Sequence, residues 1–181
     1  MTLVSRKKSY NSNDSDLYQT PIYVTEMILN RLEVSDNALF YEPANGLGAI
    51  SKVIKSYGYR CDTSDIRDGI DFLRIKNTPK YDVVMTNPPY KYAQEFVEKS
   101  LKQVVNGGKV VMLLRLSFLE SAKRYRFFRD SGLKNVYVSC RRITMYPENG
   151  DKPKNSGTLA FAWYEWEKGY DGEPMLNWFN E

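Results

Sequence analysis

The segment Asn87-Pro88-Pro89-Tyr90 holds the side chains of this sequence that are best suited to chemistry. It follows an apolar run, and its two consecutive prolines donate no amide hydrogen and fix the local backbone. The pattern predicts a rigid platform from which the Asn87 amide oxygen and the Pro88 carbonyl act as acceptors. Two acceptors on the N–H groups of an aromatic amine would stabilise the positive charge that develops when that nitrogen receives a methyl group. Tyr90 offers a ring face on which a flipped base could stack. The alternative interpretation is a proline-rich turn with a surface tyrosine.

A second candidate site is the loop Glu42-Pro43-Ala44-Asn45-Gly46-Leu47-Gly48, between a predicted strand and a predicted helix. Small residues let the backbone approach a ligand closely, and the following helix begins with free amide groups. The loop lacks the G-x-G-x-x-G pattern of dinucleotide sites, and Glu42 would repel a phosphate. An acidic residue there suits a cationic ligand such as S-adenosylmethionine, which carries an ammonium and a sulfonium. A plain strand-to-helix turn and a dinucleotide site are the alternatives.

Two acidic positions follow the next predicted strand. Asp65 is placed to accept hydrogen bonds from ribose hydroxyls, as acidic residues do in nucleotide-binding α/β folds. Asp71 could read an adenine edge while Phe72 packs on the ring. A solvated carboxylate at Asp65 and a purely structural Phe72 are the alternatives.

The composition excludes several kinds of chemistry. The chain of 181 residues contains no histidine, which removes histidine bases and most zinc sites, and Cys61 and Cys140 lack metal-ligand spacing. We therefore predict no metal, and the two cysteines suit a reducing cytosol. No apolar run is long enough to predict a membrane partner. A net charge of +4 permits a polyanionic partner without requiring one.

Strands and helices alternate along the chain. We predict a flexible tail over 1–16 and a single domain over 17–181. The predicted strands cover 38–42, 59–63, 81–86, 109–115, 135–139 and 158–165. The predicted helices cover 21–32, 49–58, 92–105 and 119–130. This alternation indicates an open, mostly parallel α/β sheet with helices on both faces, whose ligands bind at the carboxyl ends of the strands.

These motifs resemble those of a known family, the Asn-Pro-Pro-Tyr amino-methyltransferases that use S-adenosylmethionine. Tyr18-Gln19-Thr20-Pro21 resembles their N-terminal motif, which closes over the methionine part of the cofactor. The order of the motifs is similar to the gamma arrangement of DNA adenine-N6 methyltransferases. The stretches 110–116, 141–142 and 163–166 are similar to small Dam-like proteins of phages and prophages. The resemblance covers nearly the whole chain after Leu17.

The resemblance implies a Rossmann-like class I methyltransferase fold, S-adenosylmethionine as cofactor, adenine N6 in DNA as acceptor and action in a host cytoplasm. The implied cofactor-binding residues are Tyr18, Thr20, Pro21, Glu42, Ala44, Gly46, Gly48, Asp65, Asp71, Phe72 and Asn87. The implied catalytic residues are Asn87, Pro88, Pro89 and Tyr90. Asn45 stands where the family often has cysteine or serine, and the chain is too short for a separate target-recognition domain.

The residues that recognise DNA are expected in the segment 140–157, an insertion between the last two predicted strands. Its basic and aromatic residues could contact phosphates and stack on bases, and they are Arg141, Arg142, Tyr146, Lys152 and Lys154. A solvated basic face is the alternative. So short a reader predicts low sequence specificity, a preference for single strands, or help from a second subunit; the oligomeric state stays open.

Other acceptors and functions remain open at the level of the sequence. Asn-Pro-Pro-Tyr also occurs in enzymes that methylate RNA and in those that methylate glutamine in release factors, although the latter usually carry an extra helical domain. A non-catalytic nucleic-acid-binding protein and a nicotinamide oxidoreductase are the alternatives of other classes.

Overall fold

A seven-stranded sheet forms the centre of the molecule. The computed structural model describes residues 18–147 and 159–180. The sheet consists of β2 (Leu39–Glu42), β3 (Arg60–Thr63), β4 (Tyr81–Thr86), β5 (Val104–Arg115), β6 (Leu133–Ser139), β8 (Phe161–Glu167) and β9 (Met175–Phe179). Their order is β3-β2-β4-β5-β8-β6-β9, in which β8 runs antiparallel to both neighbours and the other pairs are parallel. The predicted tail over 1–16, together with Lys152 and Lys154, lies outside the described residues.

Helices cover both faces of this sheet, as the sequence predicted. They are α1 (Ile22–Leu29), α2 (Ala49–Ser56), α3 (Ala93–Ser100) and α4 (Tyr125–Asp130). Successive side chains of a strand point to opposite faces. Accordingly, Phe40 of β2 packs in the core beneath α1 and α2, whereas the adjacent Tyr41 packs beneath α3. The run 110–114 of β5 is fully buried, because a strand that is covered on both faces needs apolar residues throughout. The predicted fold is confirmed.

A small second sheet joins two segments that are distant in sequence. β1 (Tyr18–Gln19) pairs antiparallel with β7 (Tyr146–Pro147), so that Gln19 lies opposite Tyr146. Ile143 and Met145, just before β7, are buried in the same core as α1. The start of the described chain is therefore held against the segment that follows β6.

Two predicted helices differ from those observed, and one observed strand of the large sheet was not predicted. The helix predicted over 92–105 ends at Ser100, because the chain turns at Gln103, whose carbonyl accepts from the Tyr81 amide, and already joins β5 at Val104. The helix predicted over 119–130 is reduced to α4, preceded by two short 3-10 turns over 116–119 and 122–124. There the Arg124 guanidinium donates to the Phe118 carbonyl at 2.9 Å, and this bond bends the chain. β9 was not predicted at all, because it is an edge strand with exposed apolar side chains, including Trp178 at 63% exposure.

None of the helices within residues 18–147 and 159–180 combines the length and the apolar character that a membrane span requires.

Candidate functional site

A cavity of about 420 Å³ opens at the carboxyl ends of β2, β3 and β4. This is the position that parallel α/β sheets use for ligands. Most of the predicted cofactor residues line it, namely Tyr18, Thr20, Glu42, Ala44, Gly46, Asp65, Asp71, Phe72 and Asn87. Pro21 and Gly48 do not line the cavity: Pro21 precedes α1, and Gly48 forms the turn into α2.

Glu42 is the last residue of β2 and is only 1% exposed. One of its carboxylate oxygens, Oε1, accepts a hydrogen bond from the Ala44 amide at 3.0 Å. Burial raises the pKa of Glu42 to about 8, although the Thr86 hydroxyl and the Ala44 amide lower that pKa in part. A cation bound beside this carboxyl would favour its ionised form and would itself be stabilised by it.

The glycine loop connects Glu42 to the next strand. Gly46 and Gly48 both have positive φ angles, 52° and 81°, which glycine adopts at little cost. The Gly46 amide donates to Asp65 Oδ2 at 2.8 Å, and the Gly48 amide donates to the Asn45 carbonyl at 2.7 Å. The loop is therefore held closely against the carboxyl end of β3.

Asp65 follows β3 and is nearly buried at the cavity wall. Its Oδ1 accepts from both the amide and the guanidinium Nε of Arg67, each at 2.9 Å. Burial opposes ionisation, but the hydrogen bonds from Arg67 and from the Gly46 amide outweigh it and lower the pKa of Asp65. Asp65 thus presents an ionised carboxylate, the form that accepts hydrogen bonds from hydroxyls.

Asp71 and Phe72 form the far end of the cavity. The Asp71 carboxylate accepts from the Leu73 amide at 3.1 Å and pairs with Arg74 Nε at 3.1 Å. The Phe72 ring lies 5.1 Å from the Phe96 ring and is almost fully buried. Phe72 therefore belongs to the core and also lines the cavity, so that the two interpretations of this residue are compatible.

Asn87 connects the cavity to the predicted catalytic segment. Its side-chain Nδ2 donates to the hydroxyl of buried Thr20 at 3.2 Å. Its Oδ1 is buried and finds no hydrogen-bond partner within residues 18–147 and 159–180. A buried acceptor without a donor is costly, so it marks a place where a ligand N–H would be favourable.

The remaining residues of the catalytic segment divide between two surfaces. Pro89 lines the cavity, whereas Pro88 and Tyr90 do not. The Tyr90 ring lies instead near the carboxyl end of β5, where the Arg115 guanidinium carbon is 4.8 Å from its centroid and the Phe161 ring is 5.9 Å away. We call Tyr90, Arg115 and Phe161 the acceptor wall.

In the described part of the predicted reading segment, Tyr146 lies opposite Gln19, which lines the cavity. Arg141, Arg142 and Tyr146 are exposed, and Tyr146 pairs through β7 with the strand that carries Tyr18. Tyr18 lines the cavity. Among the residues that the structure describes, no group of three or more Cys, Asp or Glu side chains is arranged to hold a metal ion.

Several residues that line the cavity were missed from the sequence. They are Gln19, Ile66, Arg67, Ile70, Leu73, Arg74, Tyr92 and Phe96. Most lie in 3-10 turns or loops without a periodic pattern, so the only available signal was their closeness in sequence to Asp65, Asp71 and Tyr90.

Comparisons with known proteins identify the fold. Neither a protein-family model nor a curated protein matches the sequence. Among solved structures, a putative class I S-adenosylmethionine-dependent methyltransferase from Listeria monocytogenes superposes with a TM-score of 0.55 at 13% identity, over 91% of this chain and 66% of that one. A modification subunit of a putative type I restriction enzyme from Vibrio vulnificus gives 0.60 at 13% identity, over 94% and 48%. TrmN from Thermus thermophilus gives 0.56 at 16% identity, over 81% and 48%. The chain therefore has the class I methyltransferase fold and spans 66% or less of these relatives.

Proposed function

We propose that this protein is an S-adenosylmethionine-dependent methyltransferase that acts on an amino nitrogen, and that its acceptor is N6 of adenine in DNA. The observation that carries the proposal is the buried Asn87 Oδ1, an acceptor for which residues 18–147 and 159–180 supply no donor, on a residue that lines the cavity. An exocyclic amino group is the kind of ligand that supplies an N–H to such an oxygen.

The cavity fits the cofactor chemically. Its volume lies within the range of small-molecule sites. Buried Glu42 suits the cationic methionine part, ionised Asp65 suits the ribose hydroxyls, and Asp71 with Phe72 suits the adenine edge and ring. When bound, the cofactor supplies an electrophilic methyl group on its sulfonium.

The protein's own residues contribute position and electrostatics. Asn87 accepts one N–H of the amine and stabilises the charge that develops on nitrogen, while Thr20 holds the Asn87 amide in the required orientation. We assign the second acceptor to the Pro88 carbonyl and the stacking face to Tyr90. No histidine base is required, because aligning the two reacting atoms provides most of the rate enhancement.

The choice of DNA rests on two further observations. Arg141, Arg142 and Tyr146 are exposed in one segment that β7 joins to the strand of Tyr18, and this composition suits a polyanion with stacked bases. The modification subunit of a putative type I restriction enzyme shares this fold, so the fold is compatible with the proposed acceptor.

The proposal is tested with tritiated S-adenosylmethionine and four separate substrates: double-stranded DNA, single-stranded DNA, total RNA and a protein extract. We expect label in adenine of DNA and a loss of at least roughly a hundredfold in kcat for Asn87→Ala, as for removal of an oxyanion donor. Asn106→Ala is the matched control, because Asn106 is exposed at the opposite end of β5. Thr20→Val, which keeps the size but removes the hydroxyl, should lower kcat, because Asn87 loses the acceptor that orients its amide.

The other outcomes each identify an alternative. Label in RNA or in protein glutamine would retain the cofactor assignment and contradict DNA as the acceptor. Cofactor binding without any label would favour a binding protein on a methyltransferase fold. Absence of cofactor binding would contradict the whole proposal.

A further inference from the structure

The acceptor wall contains a cation where the proposed function places only aromatic stacking. Arg115 is the last residue of β5, the strand next to β4, and Asn87 directly follows β4. Phe161 begins β8 and lies directly opposite Arg115 in the strand register. The guanidinium carbon is 4.8 Å from the Tyr90 centroid, which is the separation of a stacked cation–π pair.

The backbone that carries Arg115 is fixed on the side of β8. The Tyr164 hydroxyl donates to the Arg115 carbonyl at 3.2 Å, and the Leu116 amide donates to the Ala160 carbonyl at 2.8 Å. Tyr164 is itself fully buried. The guanidinium therefore reaches the Tyr90 ring from a rigid attachment point.

We infer that Arg115 determines acceptor specificity by occupying the stacking position on Tyr90 until a planar acceptor ring displaces it. This inference rests on the proposed function, because it takes Tyr90 as the surface on which the acceptor base stacks. A nucleobase that displaces the guanidinium replaces one stacked π contact with another. The side-chain amide of glutamine is too small to cover the ring, so it loses the cation–π contact without an equivalent return. Arg115 thus favours nucleobases over protein amides.

The magnitude follows from the stacking interaction that the acceptor must displace. A cation–π contact changes an equilibrium constant by roughly twofold to thirtyfold, depending on its exposure. Removal of the guanidinium abolishes this competition. Arg115→Ala should therefore bind the acceptor more tightly, with a lower KM and a kcat that changes by less than about twofold, because the reacting nitrogen and Asn87 are untouched.

Arg124 supplies a control of the same charge. Its guanidinium carbon lies 4.5 Å from the Phe118 centroid, so Arg124→Ala removes the same charge and a cation–π contact with a different ring, together with the hydrogen bond to the Phe118 carbonyl. Both variants are compared with the wild type on an adenine-containing single-stranded oligonucleotide at several salt concentrations, after thermal unfolding has verified that each is folded. Arg115→Lys keeps the charge but loses the planar group, so its KM should fall less than that of Arg115→Ala.

We expect the KM of Arg115→Ala to be twofold to thirtyfold below that of Arg124→Ala, roughly as the cation–π range predicts, with equal salt dependence for the two variants. An equal or higher KM would contradict the inference. A salt slope lower by about 0.7 than in Arg124→Ala would also contradict it, because that change marks a lost phosphate contact. If the wild type methylates the oligonucleotide and one of these two results is found, only the role of Arg115 is contradicted. If the wild type methylates no nucleic acid, the proposed function is contradicted as well.

Discussion

The binding of S-adenosylmethionine should depend on pH through Glu42, and Glu42→Gln should remove half of that dependence. Glu42 is buried at the cavity, and its pKa is raised to about 8. A cationic ligand binds the carboxylate, so the free protein must lose a proton from Glu42 as it binds. The ligand's α-amino group has an ordinary pKa of about 7.7–8.0 and must keep its proton. The two requirements oppose each other and place the highest affinity near pH 8.

The size of the effect follows from the same values. At pH 6 only about 1% of Glu42 is ionised in the free protein, so affinity should fall about tenfold per pH unit below 8. Above pH 8 the ligand's ammonium is lost, and affinity should fall with a similar slope. Asp65 adds nothing to the acid side, because its lowered pKa keeps it ionised throughout this range. In Glu42→Gln the affinity should not change between pH 6 and pH 8, whereas its fall above pH 8 should remain.

Isothermal titration calorimetry between pH 6 and pH 10 measures how the affinity falls below and above pH 8. Repeating it in buffers of different ionisation enthalpy counts the protons that are released on binding. The variant is expected to fold. Glu42 ionises near pH 4.5 in the unfolded chain but keeps its proton to about pH 8 in the folded protein, so stability falls as pH rises through this range, and glutamine removes that loss. A wild-type affinity that does not change between pH 6 and pH 8, or an acid side that persists in Glu42→Gln, would refute the assignment of Glu42 to the cationic part of the cofactor.

Two further predictions concern stability. Glu165→Ala should lower the free energy of unfolding by about 3–5 kcal/mol in urea denaturation, because the buried Lys109 ammonium keeps only Glu167, at 3.3 Å, and Asn135 and Tyr137 lose the acceptor that Glu165 provides. Lys109→Met combined with Glu165→Leu should recover part of that loss, and a single variant as stable as the wild type would contradict this. Gly48→Ala and Gly58→Ala should each lower the free energy of unfolding by about 1–2 kcal/mol, because the φ angles of the two glycines are 81° and 88°. Only Gly48→Ala should weaken cofactor binding in the calorimetric titration. Equal affinities of the two variants would show that the loop conformation is not required.

The sequence predicted the parallel half of the sheet well because its signals there are strong. The β4 strand was predicted with its observed bounds, since an apolar run that ends in two prolines leaves little choice of boundary. The glycine loop was placed correctly for a related reason, since a strand, small residues and an amphipathic helix follow one another from Leu39 to Ser56.

The elements that the sequence predicted incorrectly, or not at all, lie where tertiary contacts decide the local structure. Val104 and Val105 read as the end of a helix, but pairing with β4 places them in β5. The 12-residue helix predicted over 119–130 would need a regular apolar face, and the Arg124 contact with Phe118 replaces it with turns. β9 has exposed side chains on both faces, so it shows no alternating pattern and is formed by its pairing with β6.

The three motifs form one site because the sheet and one added segment bring them together. The glycine loop and Asn87 follow neighbouring strands, β2 and β4, so their closeness follows from the strand order. Thr20 comes from outside the sheet, and its hydrogen bond with Asn87 spans 67 positions of the sequence. That contact depends on β1, which is held by pairing with β7. The orientation of the Asn87 amide, and with it the acceptor that finds no donor among the described residues, is therefore set jointly by two segments. One is the segment of Thr20, which lines the cavity, and the other is the segment that carries Arg141, Arg142 and Tyr146.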